Sequence, residues 1–296
     1  MYEQIASNKF RTVIIMVLFT LMVLLLGYIF GKATNFGPWG FFLAIVIASG
    51  SVFTSYFFSD KIVLSMNNAR EADPKVYPHV VNSVEGLSIA AGLPVPKIYI
   101  MDDPAPNAFA TGRDPKHSVV CVTTGLLEKL NRQEVEGVLA HEMSHIKNYD
   151  ILIQSISVVL VAVIALLSDW MLRRVRWSRM GGRGNGEGGA AGALFLIIAI
   201  LLALLVPLIA QLMRFALSRK REFLADASGA LLTRYPEGLA SALEKITDDT
   251  HALRTANKAT AHMFIVNPFL DLRGTINDMF NTHPPTAERI RILRSM

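Results

Sequence analysis

One cysteine, Cys121, in 296 residues leaves no internal disulfide, and it fits a reducing compartment although a lone thiol is equally harmless in an oxidising one. No basic patch interleaved with aromatics accompanies the net charge of +5. Much of the excess lies beside apolar segments, which suits juxtamembrane cations and gives no reason to invoke nucleic acid. The first apolar run is longer than a signal peptide's h-region, so it reads as an uncleaved anchor and not as a signal peptide. No internal repeat is visible. What the chain has in excess is apolar surface. Hydrophobic residues make up 52% and the mean hydropathy is +0.38, more than a soluble globule usually carries, which places the excess in a membrane.

Four stretches approach the roughly 20 apolar residues that cross a bilayer. Residues 12–30 follow Lys9 and Arg11, and residues 39–58 come after a short loop whose one cation is Lys32, which makes a helical hairpin. Residues 151–168 are marginal in length, and residues 190–213 are long enough but contain Pro207 and Gln211, which suit a kink or a contact inside a bundle. The cations before the first span put the N-terminus inside, and the second span returns the chain so that residues 60–150 are cytoplasmic. If His145 and Glu222 share one ion, the chain between them crosses the membrane twice or not at all. Two crossings place Arg173, Arg174, Arg176, Arg179 and Arg183 outside, against the positive-inside preference. A spanning hairpin is still favoured, because residues 190–213 are too long and apolar for a surface helix.

Four parts follow along the chain: a transmembrane hairpin (1–59), the first part of a polar folded domain (60–150), a second apolar hairpin (151–213) and the second part of that domain (214–296). In the second part, "PKVYPHVVNSVEGLSIAAGL" has helical periodicity ending at Gly92, and "PKIYIMD" is strand-like. "NAFATG" and "HSVVCVTTG" read as two more strands around the turn "RDPK". Asn131, with Glu134 three residues on, forms a capping box that opens a helix. "GGRGNGEGGAAG", residues 181–192, is a low-complexity flexible linker, and the C-terminal region is mostly helical.

The helix opened by Asn131 carries "HEMSH". Four residues of helix advance about 6 Å and return to nearly the same face, so His141 and His145 could reach one metal ion, while the adjacent Glu142 points off that face as a base for water. Metzincins need Gly and His three and six residues after the second histidine. Asn148 and Ile151 stand there, which excludes that class. A glutamate from a later helix is the other common third ligand. Glu222 in "REFLADASG" fits, and Asp226 lies one turn on, where it could accept the other ring N–H of a ligand histidine. On spacing alone, such a pair is usually a solvated face.

Taken together and in order, the N-terminal hairpin, "NAFATG", "HEMSH", "REFLADASG", "FIVNPF" and "THPPTAERI" resemble the HtpX family of membrane-embedded heat-shock zinc metalloproteases, within the larger group that includes the prenyl-protein proteases. The resemblance implies a mainly α membrane protein, with two to four transmembrane helices and a cytoplasmic α+β gluzincin-like protease domain containing a small sheet. It implies one Zn2+ per chain on His141, His145 and Glu222, Glu142 as general base and Asp226 as the partner of a ligand histidine. It also implies a multi-pass protein of the bacterial inner membrane that degrades unfolded or damaged membrane proteins at the cytoplasmic face and cuts itself once solubilised. Asn107, Ala108 and Phe109 are candidates for holding substrate backbone at a sheet edge. His283 could donate to a developing oxyanion, with Arg289 holding nearby carboxylates. A turn histidine and a surface arginine are the plain alternatives. His117, His251 and His262 are read as structural or exposed. Two rivals remain: a non-catalytic membrane scaffold or adaptor with a structural metal, and a CAAX prenyl protease, for which the chain is short of spans.

Overall fold

A computed structural model of the protein describes residues 2–33, 37–180, 219–254, 259–268 and 284–296. The linker at 181–192, the fourth apolar stretch at 190–213 and His283 lie outside the described residues. The chain opens with two long helices, α1 (Tyr2–Ala33) and α2 (Pro38–Met66), which pack against each other. A short strand β1 (Arg70–Glu71) and helix α3 (Pro78–Ala91) follow. Gly92 closes α3 in the left-handed region, at φ 67°, where a glycine carries no steric penalty.

Strands β2 (Lys97–Met101), β3 (Ala108–Asp114) and β4 (His117–Thr123) form with β1 a mixed four-stranded sheet of order β1-β2-β4-β3. β2 and β4 run parallel, whereas β3 and β4 are an antiparallel hairpin around the expected turn. β3 is therefore an edge strand. Helices α4 (Thr124–Lys129), α5 (Arg132–Lys147) and α6 (Asp150–Met180) come next. The expected capping box forms: Asn131 Oδ1 accepts from the Glu134 N–H at 3.0 Å, and the Asn131 N–H donates to Glu134 Oε2 at 2.8 Å. The later described elements are α7 (Arg219–Thr233), α8 (Pro236–Thr247), a 3-10 turn (Ala261–Met263) and α9 (Thr286–Leu293).

One apolar core joins side chains from both sides of the 151–213 region. Val84, Ile100, Val122, Leu126, Leu139 and Met143 meet Ala230, Leu239, Leu243 and Leu293. A second cluster, of Val63, Leu64, Met101, Phe109 and Phe264, stacks the last turns of α2 on the sheet. The second apolar helix thus runs past residue 58 and ends inside the folded domain, beyond the boundary expected at residue 59. Among the described residues three helices are long and apolar enough to cross a membrane: Ile5–Ile29, Pro38–Met66 and Asp150–Asp169. The first and third share a hydropathy of 2.7, yet 17% of the first and 72% of the third is buried inside the protein.

Candidate metal centre

The middle of α5 is fully enclosed, with His141, Glu142 and His145 all buried. Helix α7 crosses it closely at Gly229, where an added Cβ would stand 3.1 Å from the His141 backbone nitrogen. Glu222 sits two turns earlier on α7 and is brought over the histidines by that crossing. His141 Nε2 and His145 Nε2 are 3.1 Å apart, and Glu222 places its carboxylate oxygens 3.8 Å and 3.5 Å from them. One ligand atom from each of the three residues lies within 4.8 Å of the other two.

These donors fit a divalent ion. With zinc–nitrogen bonds of about 2.0–2.1 Å, a tetrahedral ion holds its ligand atoms about 3.3 Å apart. Each histidine turns Nδ1 onto a carboxylate: His141 to Asp226 Oδ1 at 2.9 Å and His145 to Asp150 Oδ2 at 3.0 Å. With both Nδ1 atoms turned to carboxylates, the two Nε2 atoms converge at 3.1 Å beside the Glu222 carboxylate. That arrangement calls for a cation between them.

The carboxylates behind the histidines are themselves held. Arg289, buried and contributed by α9, donates from Nε to Asp226 Oδ2 at 2.8 Å, from Nη2 to Asp226 Oδ1 at 2.7 Å and from Nη1 to the Ile265 carbonyl at 3.0 Å. The guanidinium forms a bidentate fork with Asp226. Arg289 is therefore a core residue that grips the partner of His141, and the plain alternative of a surface arginine is ruled out.

Burial sets much of the electrostatics. It raises the Glu142 carboxyl to about 7, with the Glu222 charge adding to the rise and His145, Arg289 and the Ala110 N–H opposing it. It lowers His141, against the pull of Asp226. Burial alone would also lower His145, but the Asp150, Glu222 and Glu142 carboxylates outweigh it and push the group up to about 9. Asp226 would rise on burial, yet Arg289 and His141 hold it at about 2. The site thus contains a carboxylate that exchanges protons near neutrality beside one that stays ionised.

The edge strand runs past this cluster. Asn107, Ala108 and Phe109 are all buried, and Phe109 makes an edge-to-face contact with Phe264 at 5.2 Å. Because Asn107 O pairs with β4 at Thr123, alternation turns the main-chain groups of residues 108, 110 and 112 to the free edge. That edge is occupied by the chain itself. Ala108 O accepts from the Ile265 N–H at 3.0 Å, Ala110 N–H reaches Glu142, and Gly112 N–H donates to Ser155 Oγ at 3.2 Å. Of the other histidines, His117 and His251 are exposed beside Asp114 and Asp249, and His262 is buried in the 3-10 turn.

The model of Peptidase family M48 matches residues 74–296. The chain belongs to this family. Its relatives include proteins named Protease HtpX homolog from Dictyoglomus thermophilum, 46% identical over the whole of this chain and 94% of that protein, and from Lactobacillus helveticus, 42% identical over the whole of both. Among solved structures, the crystal structure of S. mikatae Ste24p has a similar fold, with a TM-score of 0.52 at 18% identity over 99% of this chain and 67% of that one. This M48 member is a metalloprotease and a membrane protein, mostly helical with a small mixed sheet.

In this M48 metalloprotease Asp150 is the site residue that sequence spacing does not reveal. Five positions past His145, it would lie about 140° round a continuous helix, on another face. Tyr149, in the left-handed region at φ 60°, breaks the helix between α5 and α6 and turns Asp150 back under the ring. A non-glycine residue there costs roughly 1–2 kcal/mol.

Proposed function

We propose that the protein is a zinc endopeptidase holding one Zn2+ per chain on His141, His145 and Glu222. The observation that carries this reading is the convergence of three ligand atoms beside a buried Glu142 whose carboxyl titrates near neutrality. Zinc, when bound, supplies a Lewis acid that polarises a peptide carbonyl and makes water more acidic. Glu142 takes the proton from that water and later delivers it to the leaving amine, work for which a pKa of about 7 is suited. Asp226, kept ionised, holds His141 as a neutral Nε2 donor.

Substrate backbone pairs with the β3 edge at Ala110, taking over the N–H that Glu142 now engages, while Asn107, Ala108 and Phe109 hold the strand in place through β4, Ile265 and Phe264. Main-chain pairing of this kind ignores side chains and gives broad specificity. His283 donates to the oxyanion, while Arg289 acts through Asp226. The substrates are unfolded or damaged membrane proteins, cut at the cytoplasmic face of a bacterial inner membrane, and the solubilised enzyme cuts itself. The bacterial relatives, the apolar helices and the cations Lys9 and Arg11 in the first turns of α1 support this placement. A scaffold with a structural metal would use a fourth protein ligand and no base, whereas the cluster among the described residues has three ligands with a base beside them.

The test is Glu142→Gln in membrane vesicles. The parent should carry about one zinc per chain and cleave an unfolded substrate added to inverted vesicles, but not one added to right-side-out vesicles. The variant should keep its zinc and lose cleavage of both the substrate and itself. Activity within a few-fold of the parent would refute the role of Glu142. Cleavage only in right-side-out vesicles would reverse the orientation.

A further inference from the structure

The partner of His145 is held by a residue of the first membrane helix. Asn8, buried in α1, donates from Nδ2 to Asp150 Oδ1 at 2.8 Å and to the Asn148 carbonyl at 2.8 Å. Arg221 Nη1, one residue before Glu222, donates to the same Asp150 oxygen at 2.9 Å and to Asn8 Oδ1 at 2.6 Å. Lys9 lies 4.4 Å over the ring of Tyr149, the residue that breaks the helix. Three helix ends thus meet at one carboxylate: the start of α1, the α5–α6 break and the start of α7. The free oxygen of that carboxylate carries His145.

We propose that Asn8 is a positioning residue of the metal centre, so that the first membrane helix completes the site by fixing the Asp150–His145 pair and the helix bearing Glu222. The physical reason is geometric. A carboxylate with one donor can swing, whereas one gripped by Asn8 and Arg221 on Oδ1 presents Oδ2 to His145 in a single direction. The ring is then fixed with Nε2 facing Glu222. Asn8 also binds the Asn148 carbonyl, which locks the left-handed break that brings Asp150 under the ring. Asn8 makes these contacts from a single position, so its loss alone removes the hold on Asp150, the Asn148 carbonyl and Arg221.

This inference rests on the proposed ligand set, and the experiment separates the two. Zinc affinity of the full chain in mild detergent is measured by competition with a chelator, together with the visible d–d bands of the cobalt-loaded protein. His145→Ala should abolish binding; full affinity in that variant would sink the ligand assignment itself. Asp150→Asn should weaken zinc by about 10- to 100-fold, the range for lost outer partners of a ligand histidine. Asn8→Ala should weaken it by about tenfold and shift the cobalt bands. Asn8→Asp, which keeps the size and the contact with Arg221 but cannot donate, should do the same and covers the case in which the alanine variant fails to fold. Val23→Ala, which loosens the same helix in a separate cluster, should leave affinity and spectrum unchanged. Folded Asn8 variants with parental affinity and spectrum, or an equal loss in Val23→Ala, would overturn the proposal while leaving the ligand set standing.

Discussion

His141 and His145 sit one turn apart on the same helix with the same kind of partner, yet different parts of the chain stand behind them. Asp226 behind His141 is gripped by Arg289 from the C-terminal helix, deep in the protease core. Asp150 behind His145 is gripped by Asn8 near the start of α1 and by Arg221 near the start of α7. One side of the centre is thus fixed by the folded domain and the other by the anchor. The difference also lies in redundancy. Asp226 depends on a single guanidinium besides its histidine, whereas Asp150 has two donors besides its own.

Removing the residue on which both sides converge should have the largest effect. Glu222→Ala leaves each histidine with its carboxylate but deletes the third donor. Zinc content and proteolysis should fall together, well beyond the roughly 10- to 100-fold that loss of an outer partner gives. Metal analysis of the purified variant checks this, and full zinc content would mean that the two histidine arms suffice without Glu222. Arg289→Ala should come next. It leaves the Asp226 carboxylate buried with only His141 as partner, which costs about 3–5 kcal/mol of stability and lowers the thermal midpoint. Arg221→Ala should cost less, because Asp150 keeps Asn8 and His145. Thermal melts of the two variants compare the sides directly, and equal destabilisation would contradict the difference in redundancy.

How legible each side was in the sequence follows the same division. The Asp226 side rests on regular helix, where "HEMSH" has ligand spacing and Glu222 and Asp226 are one turn apart, so periodicity placed them and the family resemblance lifted the acidic pair above an ordinary solvated face. Strands β2 to β4 and the capping box were readable for the same reason: they obey local rules. The Asp150 side depends on a left-handed tyrosine, which no glycine announces, and on Asn8, 142 residues distant in sequence. Neither leaves a local signature. Hydropathy likewise could not tell that α6 is mostly sheathed by its own protein while α1, equally apolar, is not, because composition reports what a helix avoids and not what covers it. Nor does a strand pattern reveal that the β3 edge is already taken by Ile265, Glu142 and Ser155.

The smallest effect separates the two histidines by proton affinity. Burial lowers His141, so near neutrality it offers a free lone pair. His145 is pushed up to about 9 by the carboxylates around it, against the effect of burial, so in the metal-free protein it holds a proton that zinc must displace. Binding therefore releases about one proton from His145 below pH 9 and none above it. Apparent zinc affinity should accordingly rise about tenfold per pH unit from 7 towards 9 and then level off, with His141 contributing no slope in that window. Chelator-competition titrations across this range, with ligand and buffer protonation corrected, provide the measurement. In Asp150→Asn the carboxylate that helps hold the proton is gone, so the plateau should begin at lower pH even as the maximum affinity drops. A flat parent profile from 7 to 9 would show that the histidines are equivalent towards the metal, and that the anchor side differs from the core side only in how it is built.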